Sequence, residues 1–130
     1  MPACSEHGAV VDRNGLCATD RVLARLREHR AYQYARYGSN ADTENGTGPD
    51  VHWFPDSPLV ASDIEELVKH DWDYSPTAPR SDMTWMRLVR EEVAEAFAVS
   101  DPASLQTELL DVAALCVSWL ETLEARGATE

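Results

Sequence analysis

Lysine is all but missing from this chain: Lys69 is the only one in 130 residues, and the ten arginines face 23 aspartates and glutamates. A net charge of −12 leaves no basic face of the kind nucleic-acid binders use to neutralise phosphates, so direct DNA or RNA binding is not expected. Cysteine is scarce and odd in number, Cys4, Cys17 and Cys116, which predicts reduced thiols in a cytoplasm and not a disulfide framework. Cys4 and His7 have no second Cys/His pair to complete four zinc ligands. No uninterrupted run of 18 apolar residues occurs, so no membrane span is expected. The opening "MPACSEHGAV" lacks a basic region followed by an apolar stretch, so no secretory signal is expected. No alternating strand pattern, internal repeat or low-complexity tract is visible. There is no phosphate-cradling GxxxxGK[ST] loop and no Ser-His-Asp set. His7, His29, His52 and His70 are spread along the chain.

What is present reads as one all-α domain, residues 19–127, behind a loose arm, residues 1–18. Thr19 or Asp20 can cap a first helix that runs to about Tyr37, with Gly38 suited to its C-terminal turn. Residues 39–60 are rich in Gly, Pro, Asn and Asp and predict a long loop, too long for a plain connector. Ser62 and Glu65 fit a capping box for a second helix ending near Trp72. A third helix is expected over about 82–99. Asp101 as N-cap and Pro102 at the first helical position start a fourth, which stops at Gly127. The middle of that helix is apolar nearly all round, from Leu105 through Leu109, Leu110, Leu115, Val117, Trp119 and Leu123. Three short neighbours cannot cover it, so a partner subunit is expected.

The acids are the informative feature. "REEVAEAF" carries Glu91, Glu92 and Glu95, and "ELLD" carries Glu108 and Asp111. Glu92 and Glu95 share one helix face, as do Glu108 and Asp111. A short turn at Ser100 and Asp101 predicts an antiparallel hairpin. Counted from Asp101, Glu95 and Glu108 stand at about 9 and about 10 Å along their helices, and Glu92 and Asp111 at about 14 and about 15 Å. Helices packed about 8–10 Å apart would let all four carboxylates reach one ion. So many like charges raise one another's pKa or demand a cation, and Mg²⁺ or Mn²⁺ accepts such oxygen ligands. A single ExxE is ordinarily a solvated face; two level pairs inside apolar helices are not. Glu91, about 100° around from Glu92, is an assisting group or plain surface.

"EEVAE" followed by "ELLD" resembles the EExxE…ExxD signature of the MazG-like all-α nucleotide pyrophosphohydrolases, and "TWMRLVREEVAEAF" and "RYGSN" look like their small phage-encoded members. The resemblance covers residues 81–123 well and the first helix loosely; the long 39–80 segment departs from the shortest members. It implies a four-helix bundle completed by oligomerisation, as a homodimer or homotetramer. It implies Mg²⁺-dependent hydrolysis, with Mn²⁺ as a substitute, of a nucleoside triphosphate such as dGTP to the monophosphate and pyrophosphate. Glu92, Glu95, Glu108 and Asp111 become the metal ligands and Glu91 with Glu92 the catalytic pair. It also implies the cytoplasm, the host's if the chain is phage-encoded, as the place of action. The rival expectation is an inactive helical regulatory module on the same scaffold.

Substrate recognition is sought on the first helix and the long loop. Leu23, Leu26, Arg30, Gln33 and Tyr37 follow 3,4,3,4 spacing, and the polar end offers Arg30, Gln33 and Tyr37 to a nucleotide; the alternative is a solvent border. Trp53, Trp72 and Trp85 can stack on a base, although Trp85 continues the stripe through Leu88 and Glu92 and suits a core. Trp53 lies in the polar loop, which is expected to close over the nucleotide. Lys69, Arg80, Arg87 and Arg90 are available to phosphates or are surface cations.

Overall fold

The structure, a computed structural model, describes residues 11, 15–39, 42–71 and 83–127. Among them are four helices and no strand: α1 Ala18–Tyr37, α2 Ala61–Asp71, α3 Trp85–Ala98 and α4 Pro102–Ala125. The all-α class follows. Cys4, His7, Trp72 and Arg80 lie outside the described residues. The chain forms two compact units, one containing α1 with the end of α4 from Val117, the other running from Asn45 to Cys116.

Within the first unit, α1 begins one residue before Thr19. Cys17 caps it, its Sγ accepting from Asp20 N at 3.5 Å. Thr19 Oγ1 donates to Glu121 Oε1, and Arg21 Nε to Glu124 Oε1, tying the start of α1 to the last turns of α4. Val22 and Cys17 are fully buried there. Gly38 ends the helix with φ +72°, its N–H returning to the Tyr34 carbonyl at 2.8 Å, a backbone shape that costs glycine little.

In the second unit α2 packs on α3. Ala94 and Ala96 are both fully buried. They lie about 200° apart around α3, so this helix is covered on more than one side. Thr84 caps α3 and Asp101 caps α4, where Asp101 Oδ2 accepts from Ser104 N and Ser104 Oγ, both at 2.9 Å. These two bonds hold the Asp101 carboxyl below its ordinary pKa. The expected capping box gives way to another closure: α2 starts at Ala61, before Ser62, and Asp63 Oδ2 accepts from Val60 N. The reason is the preceding loop. Ala61 N donates to the Val51 carbonyl and Ser62 N to that of Pro49, so the loop itself satisfies the first helical N–H groups.

That loop is folded onto the helices it joins. Gly48 N donates to the Phe97 carbonyl at 2.9 Å, Trp53 N to that of Leu59, and His52 bridges Val60. Gly48 is buried with φ +152°, a backbone region where side chains are strained.

Only Leu105 of α4 is buried; Leu109, Leu110 and Leu123 are 48%, 69% and 37% exposed. By length and composition alone α4 also suffices to cross a membrane, with a mean hydropathy of 1.2 over 18 residues. The expectation of no span counted uninterrupted apolar residues, whereas an average tolerates Glu108 and Asp111.

A candidate metal centre of carboxylates on two helices

The acids of α3 and α4 meet in the second unit. Glu92, Glu108 and Asp111 each present a carboxylate oxygen, and the three oxygens lie within 4.8 Å of one another. Glu95 stands beside them, close enough that its charge raises the pKa of Glu108 and that of Glu92 raises its own. Asp111 is the strongest charge acting on Glu92, and Glu95 the strongest acting on Glu108.

The electrostatics are those of crowded carboxylates. Glu92 is pushed above its ordinary pKa first by burial and then by Asp111 and Glu108. Glu95 is raised by burial and by Glu92, and Glu108 by burial and by Glu95. Glu92 Oε2 and Glu108 Oε2 are shielded from solvent and accept no hydrogen bond. Orphaned hard oxygens beside other carboxylates fit a divalent cation of the magnesium type. The residues best placed to hold one are Glu92, Glu108 and Asp111, with Glu95 beside them.

Glu91 lies apart from this trio. Burial raises its pKa, and Lys69 of α2 pulls it down. Lys69 acts on Glu95 in the same way and pairs with Glu65 at 3.5 Å. Glu65 in turn adds to the negative field on Glu108. Glu65 was not among the sequence candidates and Lys69 was there only as a loose phosphate cation; their i,i+4 spacing on α2 was the available signal.

Beside the acids an open cleft of about 350 Å³ is lined by Leu88, Glu92, Asp111, Ala114 and Leu115. Trp85 is half-buried on the same face of α3, two turns before Glu92. Arg30, Gln33 and Tyr37 are on α1, in the other unit. Arg30 Nη1 donates to Gln33 Oε1 at 3.3 Å, and Tyr37 is 66% exposed beneath the Arg36 guanidinium. Trp53 is half-buried against Phe97, ring centroids 5.2 Å apart. Phe97 lies about 140° around α3 from Glu92 and about 200° from Glu95. Within this unit, therefore, the ring of Trp53 and the acid trio flank different sides of α3.

Compared with models of protein families, with curated proteins and with solved structures, the chain matches none.

Proposed function

We propose that this protein is a metal-dependent hydrolase that splits a nucleoside triphosphate into the monophosphate and pyrophosphate. The observation that carries the reading is the convergence of Glu92, Glu108 and Asp111. A bound Mg²⁺ or Mn²⁺ would neutralise phosphate charge and lower the pKa of a water molecule. Around it, each residue of the chain has a distinct task. Glu95 adds negative charge beside Glu108, and Lys69 moderates the charge on Glu91 and Glu95. Glu91 and Glu92 are the candidates for holding the attacking water. Such chemistry asks for positioning and charge more than for a protein nucleophile.

The same reading places a second copy of the chain over α4, whose Leu109 and Leu110 are left in solvent by the single chain. In a membrane, by contrast, the acids of α4 would be costly to bury.

The test is turnover of the eight common ribo- and deoxyribonucleoside triphosphates with Mg²⁺ or Mn²⁺. Monophosphate and pyrophosphate are the expected products, lost in Glu92→Gln. Release of orthophosphate with diphosphate left behind, or no turnover of any of the eight, refutes the assignment.

A further inference from the structure

The acids of this unit divide into two sets by their neighbours. Glu92, Glu108 and Asp111 bring carboxylate oxygens within 4.8 Å of one another. The charges acting on Glu92 are Asp111, Glu108 and Glu91, and those on Glu108 are Glu95, Asp111 and Glu65, all of them negative. Glu65, Glu91 and Glu95 form the second set, and its members share the protein's only lysine. Lys69 Nζ stands 3.5 Å from Glu65 Oε1, and its charge favours the ionised forms of Glu91 and Glu95.

Helix geometry explains how one ammonium serves three carboxylates. Glu65 and Lys69 are one turn apart on α2 and about 40° apart around it. Glu91 and Glu95 stand in the same relation on α3, and α2 packs on α3. Glu92 is about 60° around α3 from Glu95 and about 100° from Glu91, and its carboxylate goes instead to Glu108 and Asp111 of α4. The Lys69 side chain is 50% exposed and that of Glu65 29%, so the ammonium lies at the edge of the acids. A lysine suits this place, being a compact point charge on a flexible stem.

A cation already present restricts where others can go. An ion of the magnesium type needs only one or two carboxylates and completes its shell with water and phosphate oxygens, so the trio on α3 and α4 is enough for one. Sites with two ions hold them about 3.5–4 Å apart. A second divalent ion on Glu95 would have to expel Lys69 from its acids or sit against its positive charge, and like charges at a few ångströms repel.

We propose that Lys69 stands in for a second metal ion: its ammonium is the resident cation of Glu65, Glu91 and Glu95, and it confines divalent metal to a single ion on Glu92, Glu108 and Asp111. Lys69 is then a positioning residue. The inference rests on the metal-centre reading given above and adds to it the number of ions. It also takes Glu95 out of the ligand set that the sequence resemblance implies.

The experiment counts bound Mn²⁺ by the electron paramagnetic resonance of the free ion, during titration of the full chain without nucleotide. The parent should bind one ion per chain, and Lys69→Arg, which keeps the charge, should also bind one. Lys69→Gln should bind two, and Glu95→Gln added to it should remove the second and spare the first. Thermal melts check that each variant is folded. A single ion in Lys69→Gln, two ions in the parent, or two in Lys69→Arg would each overturn the inference and leave the metal centre standing. A parent that binds no Mn²⁺ would refute the metal centre itself, and the inference with it.

Discussion

Replacing Glu108 by glutamine separates a metal-binding cluster from a merely structural one. The side chain keeps its shape while one negative charge is removed. Two unit charges at 4.8 Å, the outer limit for the trio, repel by about 0.9 kcal/mol in water and about 3.5 kcal/mol at an effective dielectric of 20. Glu108 is half-buried, with one carboxylate oxygen shielded from solvent, so the repulsion lies between these figures, and the hydrogen bonds that a glutamine amide would leave unmade there offset part of it, which brings the net effect near the lower one. Without metal, Glu108→Gln should stabilise the protein by about 1 kcal/mol, which raises Tm by about 3–6 °C for a domain of this size. With metal the order reverses. An ion at a hundred times its Kd stabilises the parent by about 2.7 kcal/mol, and the variant should lose most of that. Melts followed by circular dichroism at pH 7, in EDTA and in millimolar Mn²⁺, measure both effects. A variant that melts below the parent in EDTA, together with a parent indifferent to Mn²⁺, would refute the reasoning: the acids would then be holding helices together and not an ion.

The pH dependence has a definite sign. Glu92, Glu95 and Glu108 all have folded-state pKa values raised above the ordinary one. Their contribution to stability is full below the unfolded pKa and is lost as pH rises through the raised values. In EDTA the melting temperature should therefore climb as pH falls from neutrality toward the carboxylate range, and saturating Mn²⁺, by favouring the ionised forms, should abolish or invert that climb; a flat profile in EDTA would contradict the crowding. Leu110, 69% exposed, can be changed to glutamate without disturbing the single chain. Sedimentation should show the parent as at least a dimer and Leu110→Glu dissociating about ten- to hundredfold more readily, from about 1.5–3 kcal/mol for one large apolar side chain. A monomeric parent would rule out the second copy.

Local signals in the sequence were the legible ones. Asp101 and Pro102 announce α4 because a cap acts within four residues, and the structure has Asp101 accepting from Ser104. The level pairing of the acids follows from counting, since helical rise is constant and the turn is short. The start of α2 was not legible, because what satisfies its first N–H groups is the backbone of Val51 and Pro49, and backbone acceptors have no sequence signature. Phe97 escaped notice for a similar reason: its carbonyl and ring matter only once Gly48 and Trp53 are seen against it. The polar loop around Trp53 gives no sign that the ring rests half-buried against Phe97, since that contact is long-range. The position of Lys69 near Glu91 and Glu95 depends on how α2 packs on α3, which periodicity alone does not specify.

The three anchors of the 45–62 segment bear on how it can change length. Gly48 to Phe97, Val51 to Ala61 and Pro49 to Ser62 are register-specific bonds, so one residue added between Gly48 and Val51 would break at least one of them. Beyond Trp53 the chain turns through Phe54, Pro55 and Asp56, all exposed, before Leu59 returns to pair with it. Doubling such a turn costs only about 0.6 kcal/mol in closure entropy. A peptide tag or a reporter domain belongs at Pro55–Asp56, and the stretch from Gly48 to Val51 is where a lineage could neither gain nor lose a residue without rebuilding the start of α2 or the bond to Phe97.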